Sequence, residues 1–351
     1  MSAPTAPAAR LTGLLLVRRF LADYARNPVN LLMLVLVPAV FTGVAAGSLA
    51  SAAKLLGGTG GTAVQDATAA WSAAFIAALA AYFQMRAARA ADRRLVLAGL
   101  PAWRLAATRA VTGLALTVIA SAAAVITLAV RTGIADPGRV VTGTLLAAVI
   151  YLAIGAVTGA LVTSPVNGTV LIFFIWAVDV FFGPSFGSAD RPLTWVFPTH
   201  FVIVWMTRLP VGHTGPGGGL GLALTWAARA AMAAGAVLTA AIRTAATRRR
   251  ARPGSVLSQF AAGLRAGLRD TGRNRALWVL LIIVPATFVA LAPPVTPRVY
   301  KPVTLLEDGR QVTRLFWFPG FHPGIMAPIA IGFLAILAGL FIVTDARAAD
   351  R

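Results

Sequence analysis

The chain has 351 residues, a formal net charge of +20, 58% apolar residues and only 12% charged ones. A soluble domain carries roughly a quarter charged residues, so this composition excludes a water-soluble globular protein. The arginines fall in clusters between long apolar runs, which reads as membrane topology and not as a nucleic-acid footprint. With no cysteine, a disulfide framework, a thiol nucleophile and Cys-ligated zinc are excluded as well.

The first apolar stretch, Leu11 to Val17, runs straight into Arg18-Arg19 and no small-residue cleavage site follows it. It does not read as a signal peptide. Residues 8–25 are expected to form an amphipathic helix instead. A membrane helix needs about 20 mostly apolar residues. Eight segments qualify: 29–48, 69–86, 109–130, 140–162, 167–183, 219–242, 276–293 and 325–344, the fifth being short. The expected fold is all-α and polytopic.

Several features mark these segments. Pro38 and Pro285 are expected to bend the first and seventh spans. The segment 87–108, "AARAADRRLVLAGLPAWRLAAT", is expected to continue the second span as helix and break near Gly99 to Pro101. A short helix would then turn back toward the third span. Gly155 and Gly159 place a small-residue motif on the fourth span, where helices can approach closely. Packing within one subunit is the expected use.

Asp179 lies near the end of the fifth span and Arg229 within the sixth. A charge inside a membrane is costly unless it meets a partner or water. Three readings are open: an ion pair between adjacent helices, separate snorkelling to the interface, or contact with a substrate. The stretch 244–254, "TAATRRRARPG", reads as a linker. Further on, Asp308-Gly309 sits between alternating residues, which predicts a hairpin with Leu305 opposite Val312. "FWFPGFHPG", 316–324, reads as an aromatic interfacial belt.

With the N-terminus in the cytoplasm, 21 Arg and Lys fall inside and nine outside, Arg229 lying within a span. The positive-inside rule supports that orientation and an even number of spans.

The chain also repeats itself. "ARAADR" occurs at 88–93 and again at 346–351. At a shift of 247 residues Arg26-Asn27 meets Arg273-Asn274, and Pro38 meets Pro285. Leu257, Phe260, Leu264 and Leu268 give the second copy its own amphipathic helix, suited to the membrane interface. Residues 1–248 read as a six-span unit, and 249–351 as the start of a second, incomplete one.

The amphipathic segment followed by "RNPVNLLMLVLVPAVF" resembles the opening of ATP-binding-cassette permeases of the type-2 exporter family. "DRRLVLAGLPAWRLAATRAVTG" is similar to that family's cytoplasmic coupling segment, and "FPTHFVIVWMTR", with Pro198 and His200, to its outer re-entrant helix. The family commonly has a Glu in the coupling segment where this chain offers Asp92 or Arg93.

The resemblance implies a six-helix permease in the bacterial inner membrane. It would pair with a second permease copy and be driven by separate ATPase subunits. The coupling segment would dock the ATPase through Leu95, Leu97, Leu100 and Pro101, with Arg93, Arg94 and Arg104 facing acidic groups. Among inner loops, only 87–108 has the length to transmit force.

No Walker A motif is present, since neither Lys54 nor Lys301 follows a Gly or precedes Ser or Thr. The three His are far apart and Glu307 is the sole Glu, so no paired carboxylates or H-E-x-x-H suggest an enzyme. No cofactor, metal or nucleic-acid partner is expected. The alternative to an exporter is an ion-coupled secondary transporter, for which Asp179 is the one good coupling acid.

Reporter fusions test this topology. Fusions after Arg94 and after Arg252 are expected to report cytoplasmic, and one at Gly218 external. A cytoplasmic signal at Gly218 would overturn the six-span reading of the first unit.

Overall fold

The computed structural model describes residues 6–55, 61–162, 164–185, 192–207 and 218–247, together with 286, 300–307 and 310–317. Among the described residues, eight α-helices follow one another along the first part of the chain. They are α1 (Ala6–Ala25), α2 (Pro28–Leu55), α3 (Gly61–Leu97), α4 (Ala102–Thr132), α5 (Pro137–Leu161), α6 (Pro165–Phe182), α7 (His200–Thr207) and α8 (Leu220–Thr247). Five of them, α2, α3, α4, α5 and α8, are long and apolar enough to cross a membrane. The protein is therefore an α-helical, multi-pass membrane protein. α6 contributes a shorter apolar helix, Asn167–Phe182. Apart from residue 286, the expected span 276–293 lies outside the described residues, as do the span 325–344, Pro285 and the second amphipathic helix.

Local chemistry sets the helix boundaries. α5 and α6 begin alike, with a capping side chain followed by proline. Asp136 accepts a hydrogen bond from the Arg139 amide and Ser164 from the Asn167 amide, while Pro137 and Pro165 occupy the first turn. α3 is closed off by Gly99, two residues past its end, whose φ of 96° suits a residue without Cβ. The Leu100 amide donates to the Leu95 carbonyl and the Gly99 amide to that of Val96, the paired bonds of a Schellman close. Pro101 then stands as N-cap of α4. No separate short helix follows the break, contrary to the sequence expectation. α4 runs unbroken from Ala102 to Thr132, because nothing after Pro101 interrupts the helix-forming pattern. α2 likewise passes through Pro38 as one helix.

α3 is the central element, with most of its apolar window buried. It packs against α2, α4, α5, α6, α7 and α8, and most extensively against α5. Alanines are buried on both helices, and Ala70, Ala74 and Ala78 of α3 share one core with Ala147 of α5. A side chain at Gly155 would land on the Ala78 carbonyl, and one at Gly159 on Met85 and the Tyr82 backbone. The small-residue motif thus works within the subunit, where it lets two backbones nearly touch.

Far along the chain, β1 (Tyr300–Glu307) and β2 (Arg310–Trp317) form an antiparallel hairpin. Leu305 lies opposite Val312, the register expected from the Asp308-Gly309 turn.

The α3–α5 contact makes a directional prediction. Gly155→Ala is expected to destabilise by about 1–3 kcal/mol, because the added methyl meets backbone that cannot yield. Gly221→Ala, where a Cβ meets nothing within 4 Å, is expected to be neutral or mildly stabilising. Thermal unfolding of purified protein in detergent distinguishes them; equal midpoints would show that the helices can move apart at no cost.

Candidate functional site

The ends of the helices divide the described arginines unevenly. Arg18, Arg19, Arg26, Arg86, Arg89, Arg93, Arg94, Arg104, Arg109 and Arg243 lie toward the end that carries the α3–α4 turn. Arg131 and Arg139 lie at the opposite end. At the Arg-rich end the hairpin of α3 and α4 is stitched together from inside. Arg109 Nη2 donates to Asp92 Oδ1 at 2.8 Å, and both residues are buried. The Arg109 guanidinium also lies 3.5 Å from the Phe20 ring centroid, which fastens α1 to the hairpin. Around this pair Met85, Leu105, Ala106, Leu238 and Ile242 form a core shared by α3, α4 and α8.

The neighbouring α5–α6 turn is held by α3 as well. Arg89 Nη2 donates to the Gly159 carbonyl at 2.6 Å and to the Val162 carbonyl at 2.9 Å, filling the open acceptors at the α5 C-terminus. The Tyr82 hydroxyl donates to the Ser164 carbonyl at 2.8 Å. The α3–α4 and α5–α6 connections are thereby both tied to α3.

The expected docking residues separate into two groups. Leu95 and Leu100 turn inward against the Phe20–Leu105–Leu238 core. Leu97, at 65% exposure, faces outward with Arg94 and Pro101, while Arg93 and Arg104 are half-buried. Trp103, which the sequence reading passed over, is also exposed, with the Arg104 guanidinium 5.3 Å from its ring. The outward apolar surface is therefore Leu97 with Trp103, not the three leucines together. Asp92 is engaged internally by Arg109. A sequence signal for that pair existed: Asp92 and Arg109 stand at matching distances on either side of the Gly99–Pro101 turn, so an antiparallel hairpin brings them together.

Toward the opposite end a second polar cluster is built around α7. Asp179 is buried, and its carboxylate accepts from the Thr199 amide at 3.3 Å, the Thr199 hydroxyl at 2.7 Å and the Tyr151 hydroxyl at 2.9 Å. Thr199 precedes the first residue of α7, and its carbonyl accepts from the Ile203 amide. The carboxylate thus sits at the positive end of that short helix. At its other end Arg139 Nη1 donates to the Trp205 carbonyl at 3.0 Å. Residues from His200 to Met206 are all buried. Pro198 accepts from Trp226 Nε1 at 2.9 Å, and the His200 ring meets Phe201 edge-on.

Of the three readings open for Asp179 and Arg229, the ion pair between adjacent helices is not the arrangement found. Arg229 is exposed on α8, and Asp179 is directed to Tyr151 and Thr199. Asp179 meets the middle of α5, so the carboxylate lies inside the bundle and not at its edge. Helical spacing alone shows neither the return of the chain after α6 nor the donors it delivers. Among the described residues no group of His, Asp and Glu could hold a metal ion.

The two acids make separable predictions. Asp179→Ala is expected to cost on the order of 3 kcal/mol, since it strands three buried donors. Arg229→Ala is expected to stay within about 0.5 kcal/mol of wild type. The check is the thermal midpoint of each single and of the double variant; a double variant more stable than Asp179→Ala would restore the ion pair. Comparison with family models, with curated proteins and with solved structures gives no match, so the functional reading rests on the chain's own residues.

Proposed function

We propose that this chain is the membrane-spanning permease subunit of an ATP-driven exporter, set in a bacterial inner membrane with its N-terminus in the cytoplasm. Hydrolysis belongs to a separate P-loop ATPase. One observation carries the reading: α3 and α4 form a hairpin that is too long for a bilayer and is fastened at its base. α3 has 37 residues and α4 has 31, or roughly 55 and 46 Å of helix against a hydrocarbon core of about 30 Å. The surplus lies at the Arg-rich end, where the arginines also favour a cytoplasmic location.

A rigid hairpin joined to α1, α5, α6 and α8 is suited to pass a push at its tip to the whole bundle. Leu97 and Trp103 offer that tip apolar area, and Arg94 and Arg104 offer charge to acidic partner groups. The ion-coupled alternative would need an acid that binds and releases its ion. Asp179 is instead occupied as the cap of α7, which speaks for a structural role.

Leu97→Asp and Trp103→Asp are expected to reduce co-purification of the cognate ATPase, identified by its P-loop peptide, at least tenfold. Membrane insertion and elution as a single species are expected to be unchanged. Undiminished co-purification with undiminished transport would place the docking surface elsewhere, the exposed Leu14 and Leu15 of α1 being the next candidate.

A further inference from the structure

Two opposite faces of α1 carry apolar side chains. One face is packed: the Phe20 ring lies on the Arg109 guanidinium, and Leu21 and Tyr24 join the core that Leu34 of α2 forms with Leu116 and Ala120 of α4. The other face is open. Leu14 and Leu15 are 69% and 62% exposed, and Arg18 and Arg19 are exposed one turn further on. At i,i+4 spacing Leu14 stands beside Arg18 and Leu15 beside Arg19, so each leucine shares its surface with a guanidinium. Among the described residues neither of these arginines meets an acid. Asp23, exposed on the same helix, is bonded instead to Arg26 at 2.8 Å.

The position of α1 says what adjoins this open face. α1 ends at Ala25, and α2 starts at Pro28 as a helix long and apolar enough to cross the membrane. The side chains that hold α1, from Leu34 to Leu116, also belong to such helices. α1 therefore lies where the chain enters the bilayer, at the Arg-rich end. Lipid at that boundary offers acyl chains to leucine and phosphate to arginine. Basic residues beside a span are drawn to anionic headgroups, and an interfacial helix adds its apolar area to that attraction. A zwitterionic lipid brings no net charge to match two uncompensated guanidinium groups.

We infer that the open face of α1 binds anionic phospholipids of the adjoining leaflet, and that this occupancy holds α1 down on the α3–α4 hairpin. Arg18 and Arg19 meet the phosphates, and Leu14 and Leu15 lie against the acyl chains. Phe20 passes the effect inward as a positioning residue. It follows Arg19 directly, and its ring rests on Arg109, which is bonded to Asp92 across the hairpin. The inference rests on the membrane-spanning fold and not on the exporter reading.

The test uses the purified full chain in neutral dodecyl maltoside micelles, without any ATPase. The chain has no cysteine, so Ala22→Cys, on the same exposed face, takes a single nitrobenzoxadiazole label. Dioleoylphosphatidylglycerol is expected to raise the label's emission saturably and to raise the thermal midpoint. Dioleoylphosphatidylcholine and glycerol phosphate are expected to do neither. Arg18→Gln and Arg19→Gln are each expected to raise the half-saturating phosphatidylglycerol concentration about fivefold. Phe20→Leu, which keeps an apolar contact and removes the ring, is expected to leave that concentration unchanged and to abolish the rise in midpoint. An equal response to phosphatidylcholine, or to glycerol phosphate, would overturn the anionic-lipid surface. So would an unaltered phosphatidylglycerol response in the folded double variant Arg18→Gln/Arg19→Gln. A lipid-induced rise in midpoint that survives Phe20→Leu would overturn the link to the hairpin. Because no ATPase takes part, failure here leaves the exporter reading standing, and loss of ATPase association leaves this surface standing.

Discussion

The close approach of α3 and α5 is the constraint on which the rest of the bundle depends. Two helices whose backbones nearly touch need residues without side chains at the crossing, and Gly155 and Gly159 supply them against Ala78 and Tyr82. In lipid, apolar helices gain little from hiding apolar surface, so contact at close range has to provide the association. That contact brings Arg89 within reach of the α5 C-terminus and Tyr82 within reach of Ser164. The α5–α6 turn is thereby placed, and with it the direction in which α6 returns.

Five charged residues packed into the bundle follow a second rule, each committed to a partner that solves a backbone or charge problem. Asp92 and Arg109 neutralise each other. Arg89 and Arg139 complete the carbonyl ends of α5 and α7. Asp179 completes the amide end of α7. An eight-residue helix is too short to be stable by itself. Buried within the bundle, with a carboxylate at one end and a guanidinium at the other, α7 has its dipole and its open groups met. These interactions explain why so apolar a chain retains charges at depth.

A mechanical consequence unites the two halves of the first unit. The α3–α4 hairpin is held to α1 through Phe20 and to α8 through Leu238 and Ile242. α3 continues from this end to the neighbourhood of α7. In the proposed exporter, a displacement at the hairpin tip would therefore reach the α7 cluster along one continuous helix.

Much of the architecture was legible in the amino-acid order. Apolar runs of sufficient length mark α2, α3, α4, α5 and α8, because a bilayer imposes one length on any helix crossing it. Gly99 and Pro101 mark the hairpin break, since φ near 96° and a missing amide are local properties. Asp308-Gly309 marks the β-turn register for the same reason. What depended on tertiary structure was the pairing of helices and side chains beyond the α3–α4 hairpin, and the face each leucine presents. Asp179 goes to Tyr151 and Thr199 and not to Arg229, Leu95 and Leu100 face inward while Leu97 faces out, and α4 absorbs the expected short helix. Periodicity tells how a helix is striped but not which neighbour meets each stripe. That choice is made by the glycine-mediated approach of α3 to α5, an event between residues some 77 positions apart.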